Sequence, residues 1–179
     1  KNTSGLMVVA KNPKSQKYLV EQLQSHSISR EYSAIVYGYM ISGGSIEESI
    51  GRDPKDRVKQ AIVSNGKNAT THFRVIDRFK SHTHVKAILE TGRTHQIRVH
   101  LSHIGHPLIG DPMYGGRVRF PKKASIDLKD SLINFKRQAL HSKKLTLTHP
   151  ISGENMSWIS KLPDDMLKLL EVLQEFDSE

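Results

Sequence analysis

Residues 70–101 read TTHFRVIDRFKSHTHVKAILETGRTHQIRVHL, and the succession of patterns in this stretch decides the fold class. Thr70–Phe79 and His84–Glu90 are rich in β-branched and aromatic residues. The polar run Lys80-Ser81-His82-Thr83 separates them, which predicts two strands joined as a hairpin. The period then changes. Over residues 94–105, Ile97, Leu101 and Ile104 recur at i, i+4 and i+7, which predicts a short amphipathic helix with Thr94 as its N-cap. Strands that succeed one another directly, instead of alternating with helices, favour an α+β fold with a mixed, largely antiparallel sheet flanked by helices.

The same reading extends in both directions. Upstream, Ser29–Met40 predicts a long strand, Gly43-Gly44 a turn and Ser45–Ile50 a further strand. The polar, basic stretch 51–60 predicts an exposed loop. Pro13 opens a helix carrying Tyr18, Leu19 and Leu23 at helical spacing and ending near His26. Gly5–Ala10 reads as a buried strand. A strand so near Lys1, with no initiator Met, is expected to pair with something before it, so the chain is expected to begin inside a larger unit. Downstream, residues 105–125 hold seven glycines and prolines among Arg117, Arg119, Lys122 and Lys123, and predict a basic loop. Gln138–Thr148 predicts a strand, residues 149–153 a turn, Met156–Ile159 a short strand, and Pro163–Phe176 a terminal helix. No repeat or linker divides residues 1–179, which read as one unit.

Composition narrows the function. The chain of 179 residues carries 27 Lys and Arg against 18 Asp and Glu, a formal charge of +9. An excess of positive charge spread along the chain points to an acidic partner, nucleic acid first. Cysteine is absent, which excludes disulfides, thiolate metal sites and a cysteine nucleophile. No apolar run approaches the roughly 18–20 residues of a membrane-spanning helix, and a cytoplasmic location is expected. Neither a GxxxxGK[ST] nor a GxGxxG loop occurs, so nucleotide hydrolysis and dinucleotide chemistry have no support.

On the helix of residues 94–105, Arg98 lies about 60° from Leu101 and about 100° from Ile97, next to the apolar stripe. Its guanidinium cannot lose its proton and needs a partner if buried. No acid of the chain stands in an obvious position to serve, and the alternative is an arginine that packs its stem and reaches water. His95, His100, His103 and His106 cluster in sequence without an HExxH arrangement or a completing carboxylate, so no metal is expected and the histidines read as satisfied or surface groups. Leu145 and Leu147 fit either a ligand pocket or the core.

The run LETGRTHQIRVHLSHIGHPLIGDPMYGG, residues 89–116, resembles the most characteristic motif of the RluA family of pseudouridine synthases. Other segments agree in order. Lys1–Lys11 resembles the stretch directly after that family's HRLD motif, and Arg30-Glu31-Tyr32-Ser33-Ala34 resembles its tyrosine motif. Gln138-Ala139-Leu140-His141 and His149-Pro150-Ile151-Ser152-Gly153 resemble its C-terminal strand and turn. Within the family the chain is most similar to members acting on large-subunit ribosomal RNA.

The resemblance implies the pseudouridine synthase catalytic fold, with residues 1–179 its C-terminal portion and an N-terminal part missing. It also implies cofactor-free isomerisation of specific uridines in ribosomal RNA by a monomer. The nucleophilic aspartate, the last letter of HRLD, would sit immediately before Lys1. The fragment alone would then be inactive, a non-catalytic RNA-binding module being the alternative. By resemblance Arg98 pairs with that aspartate, and Tyr32 is the tyrosine that stacks on the base and assists proton transfer at C5. RNA contacts are expected from Arg52, Lys55, Arg57, Lys59, Arg93, His95, Gln96, Arg117, Arg119, Lys122 and Lys123.

Overall fold

Side chains buried on both faces mark the middle of the sheet. Ala34, Ile35 and Val36 on one strand, and Val85 and Ala87 on its neighbour, are all 0% exposed. The computed structural model describes residues 2–178. In chain order the elements are β1 (Ser4–Gly5), α1 (Pro13–Gln24), β2 (Ser29–Tyr37), β3 (Gly44–Glu47), β4 (Ile50–Arg52), β5 (Gln60–Ile62) and β6 (Thr70–Arg78). They continue with β7 (His82–Leu89), α2 (Gln96–His103), α3 (Ile126–Asn134), β8 (Leu140–Thr148), β9 (Asn155–Ile159) and α4 (Asp164–Ser178).

Seven strands form one sheet in the order β1-β8-β2-β7-β6-β3, with β9 also on β8, while β4 and β5 make a separate hairpin. Every ladder is antiparallel except β1 with β8. The expected α+β class with a mixed, largely antiparallel sheet is the one found.

Alternation along β2 sends its side chains to two different cores. Ile35 and Tyr37 face a core closed by Leu128 and Leu132 of α3 and by Met166, Leu169, Leu173 and Phe176 of α4. Ala34 and Val36 face the opposite core, closed by Ile97 and Leu101 of α2, and Tyr32 packs on that side. A third cluster joins Leu19 of α1 to Leu145 and Leu147, which settles those two leucines as core residues. Val99 of α2 packs against Ile50 and Ala69 and seats the β4–β5 hairpin.

Several expectations need correction. Gly5–Ala10 is not a buried strand. Only Ser4–Gly5 pairs, with His141 and Ser142, and Met7 and Val9 are 82% and 70% exposed. The next stretch of β8, from Lys144 onward, is already taken by β9, so residues after Gly5 find no free edge. Ser45–Ile50 is not one strand either, because the chain leaves β6 after Glu47 and turns into β4. The segment 51–60 is thus largely the turn of a hairpin. Asp53 Oδ1 there accepts from the backbone N–H groups of Lys55 and Asp56, and Asp56 Oδ1 from that of Val58. The helix α2 starts at Gln96 and not after Thr94, its N-cap being His95 with φ 58°. Sequence reading missed α3 altogether, although Ser125 caps it by accepting from Leu128 N at 3.2 Å and Leu128 and Leu132 stand at i, i+4 spacing.

Candidate active site

The turn between β7 and α2 is fixed by one side chain. Gln96, 2% exposed, accepts at Oε1 from Thr91 Oγ1 (2.8 Å) and Arg93 N (2.9 Å), and donates through Nε2 to Thr70 O and Thr71 Oγ1, both at 2.9 Å. Both donors and both acceptor positions of the amide are used. Gln96, expected among the RNA contacts, ties the turn to β6 with its amide and also lines the cavity described below.

One turn further along α2, His100 Nδ1 lies 2.9 Å from Thr71 Oγ1 and Nε2 3.2 Å from Glu48 O. Since Thr71 accepts from Gln96, its own proton goes to His100 Nδ1, and His100 Nε2–H donates to the carbonyl. This directed chain holds a neutral imidazole, and burial lowers the His100 pKa.

Arg98 is buried, and its partner is inside the chain. Its Nε and Nη2 donate to Asp111 Oδ2 and Oδ1 at 2.7 and 2.8 Å, with the two side chains 7% and 0% exposed. Asp111 Oδ1 also accepts from the backbone N–H groups of Met113 (2.9 Å) and Tyr114 (3.0 Å). Burial works against the Asp111 charge, but these hydrogen bonds, that of Arg98 foremost, hold its carboxyl below the ordinary value. The expectation that no acid of this chain serves Arg98 is thus overturned. The acid stands 13 residues on, in a loop that sequence reading treated only as basic.

Tyr114 completes the cluster. Its ring lies under the Arg98 guanidinium at 4.9 Å, and its hydroxyl accepts from Gln60 N and meets His95 Nδ1, both at 2.9 Å. The His95 pKa is lowered by burial and by the Arg98 charge. One tyrosine thereby joins the β4–β5 hairpin, the N-cap of α2 and the ion pair.

A cavity of about 200 Å³ opens against this cluster. Tyr32, Arg93, His95 and Arg98 stand on its wall, with Leu89, Ile97 and Leu140 as apolar lining and Thr3 and Gln138 at one side, 3.0 Å from each other. With Nε and Nη2 of Arg98 committed to Asp111, Nη1 is the nitrogen left for a group in the cavity. The space is small, fitting a single ring more than an extended ligand.

Arg52, Lys55, Arg57 and Lys59 lie on the hairpin, joined to the site through Gln60 but outside the cavity, with Lys59 3.6 Å from Asp56. Arg117, Arg119, Lys122 and Lys123 also lie outside it, and Arg119 stacks on Tyr37 at 5.7 Å. Among the described residues no cluster of three or more His, Asp or Glu is placed to hold a metal ion. Sequence reading missed Thr3, Asp111, Tyr114 and Gln138. The Asp-Pro turn of GDPMYGG and the need of Arg98 for an acid were signals for Asp111 and Tyr114, while Thr3 and Gln138 were marked only by lying in stretches that resemble family motifs.

Residues 1–103 match the family described as RNA pseudouridylate synthase. The chain belongs to that family. It is 55% identical over 175 residues to a ribosomal large subunit pseudouridine synthase D of Pseudomonas aeruginosa, covering 98% of this chain and 55% of the relative. An Escherichia coli protein of the same name is 52% identical over 174 residues, covering 97% and 53%. The chain thus spans about half the length of the curated pseudouridine synthases it matches. The solved structure of human RNA pseudouridylate synthase domain containing 4 superposes with a TM-score of 0.72 at 26% identity, covering 94% of this chain and 70% of the other. That of domain containing 1, at 22% identity and a TM-score of 0.67, shares the fold.

Proposed function

We propose that this chain is the C-terminal portion, residues 1–179, of a single catalytic domain that isomerises uridine to pseudouridine in large-subunit ribosomal RNA. The observation that carries this reading is the cavity that gathers Tyr32, Arg93, His95 and Arg98 over a buried ion pair in a family member. A uridine enters such a space only by leaving its stack. The Tyr32 ring offers a face for the uracil, and Leu89, Ile97 and Leu140 keep water from it.

The reaction breaks the N1–C1′ bond, turns the uracil, forms C5–C1′, removes the proton from C5 and leaves a proton on N1 in its place. No atom is gained or lost, and no cofactor is called for. Tyr32 is the group beside C5. By the family resemblance, the aspartate that attacks the substrate precedes Lys1 in sequence. Arg98 is then shared between two acids, Asp111 fixing its plane through two hydrogen bonds and Nη1 facing the nucleophile. Arg93 and His95 hold the nucleotide at the cavity mouth, and the Arg52–Lys59 hairpin and the Arg117–Lys123 loop take flanking phosphates. The protein works as a monomer in the cytoplasm; no helix of the described residues is long and apolar enough to cross a membrane.

The test is to incubate the full-length protein with a large-subunit ribosomal RNA transcript and map carbodiimide-induced stops in reverse transcription. New stops at discrete uridines are expected. RNA binding without any stop would reduce the protein to a binding module.

A further inference from the structure

A second cavity, of about 330 Å³, lies between the end of α1, the start of β2 and the turn before α2. Leu23, His26, Arg30, Gly92 and Arg93 are among its walls, and Arg93 belongs to both cavities. Arg30 precedes Tyr32 by two residues on β2 and so shares its face.

Arg30 differs from three other arginines of the chain. Arg98 has Asp111, Arg137 has Asp165, and Arg78 donates to the carbonyls of Met40 and Ile41. Arg30 Nε is shut off from solvent with no hydrogen-bond partner, and its side chain makes no ion pair among the described residues. Burial pulls its pKa down, as expected of an unanswered charge. Glu31, next to Arg30 in sequence, is engaged with Lys86 and Lys144, and Glu90, beside the turn, with His72. Arg93 donates through Nε to Asn68 O at 3.0 Å, leaving its two terminal nitrogens. At Gly92 a Cβ would collide with Arg30 Nη1, so the turn passes close over the guanidinium and a side chain there would push the end of Arg30 aside. Arg30 is half-buried, and a guanidinium whose shielded nitrogen has no acceptor costs stability unless an anion completes it.

We propose that this cavity is an anion subsite in which Arg30 and Arg93 hold a backbone phosphodiester of the RNA, next to the nucleotide in the Tyr32 cavity. The inference rests on the RNA reading above. A nucleotide turned out of its stack brings its own flanking phosphates to the cavity mouth, and a forked donor suits phosphate oxygens.

The test measures binding of a uridine-containing stem-loop RNA to the full-length protein across a salt series. Arg30→Gln should weaken affinity about 5- to 20-fold at low salt and flatten log K against log[salt] by about 0.7–0.9, and Arg30→Lys should restore the slope. Gly92→Ala keeps every charge but displaces the guanidinium, and should weaken binding even if Arg30→Gln proves too unstable to assay. Wild-type affinity and slope in both Arg30→Gln and Gly92→Ala would overturn the subsite. If the parent forms pseudouridine while these variants bind normally, the subsite falls and the isomerase reading stands. If the parent forms none while the slope still drops, the reverse holds.

Discussion

Tyr32 and Arg98 make separable contributions, and their substitutions should differ in kind. Tyr32→Phe keeps the ring proposed to stack on uracil and removes the hydroxyl. RNA affinity should stay within about twofold while single-turnover isomerisation slows by about 10² or more; an unchanged rate would return Tyr32 to a packing role. Removing Asp111 by Asp111→Ala leaves the Arg98 charge buried and should cost about 3–5 kcal/mol in denaturant unfolding. Replacing the whole pair, Arg98→Met with Asp111→Leu, should recover part of that stability, the Met113 and Tyr114 N–H groups losing their acceptor, while isomerisation stays lost. Recovery of both would show that the pair is only structural. Arg98 was legible in sequence as a charge on an apolar stripe. Its partner was not, because the Asp111 turn meets α2 through tertiary packing that no local period records.

Among the elements, the β4–β5 hairpin and α2 are coupled through the Tyr114 hydroxyl, which accepts from the Gln60 N–H and shares a hydrogen bond with His95 Nδ1. Tyr114→Phe should cost about 1 kcal/mol and speed amide exchange at Gln60 and along the hairpin, with β6 and β7 unaffected. Unchanged exchange would mean that Val99 packing alone seats the hairpin. The periodic elements were the legible ones, since β2, β6, β7, β8, α1 and α4 carry enough apolar residues to show their spacing. Gly5–Ala10 failed because pairing depends on which edge of β8 is free, and Thr94 failed because the cap at His95 is set by the Gln96 side chain reaching back to Arg93 N. The helix α3 was hidden by the run of glycines and prolines before it, although the Ser125 cap was there to read.

At the scale of the whole molecule, buried histidines set the acid limit of stability. Burial holds the His82 pKa at about 4 from an ordinary 6.5, and it lowers His84 and His100 in the same direction. Folded-state values below the unfolded ones mean that the unfolded chain binds more protons between about 4 and 6.5. The stability is therefore complete above that window and is lost as pH falls through it. For His82 the loss is on the order of 3 kcal/mol. Melting temperature should decline steadily from pH 7 to pH 4, and His82→Phe should make the decline shallower. An equal slope in that variant would place the acid sensitivity elsewhere. The charge of +9 was readable as an attraction for RNA, whereas the gathering of Arg30 and Arg93 at neighbouring cavities required the fold.

The two-residue strand β1 does more than its length suggests. Gly5 has φ 98°, and a Cβ there would strike the Ser142 backbone, so the parallel contact with β8 has one permitted geometry. Thr3, two residues before it, borders the cavity and receives a hydrogen bond from Gln138. A methyl group added at Gly5 would act as a wedge under a short lever. The displacement would be felt at Thr3, in the shape of the cavity beside Tyr32 and Arg98, and hardly at all in the cores beneath α3 and α4.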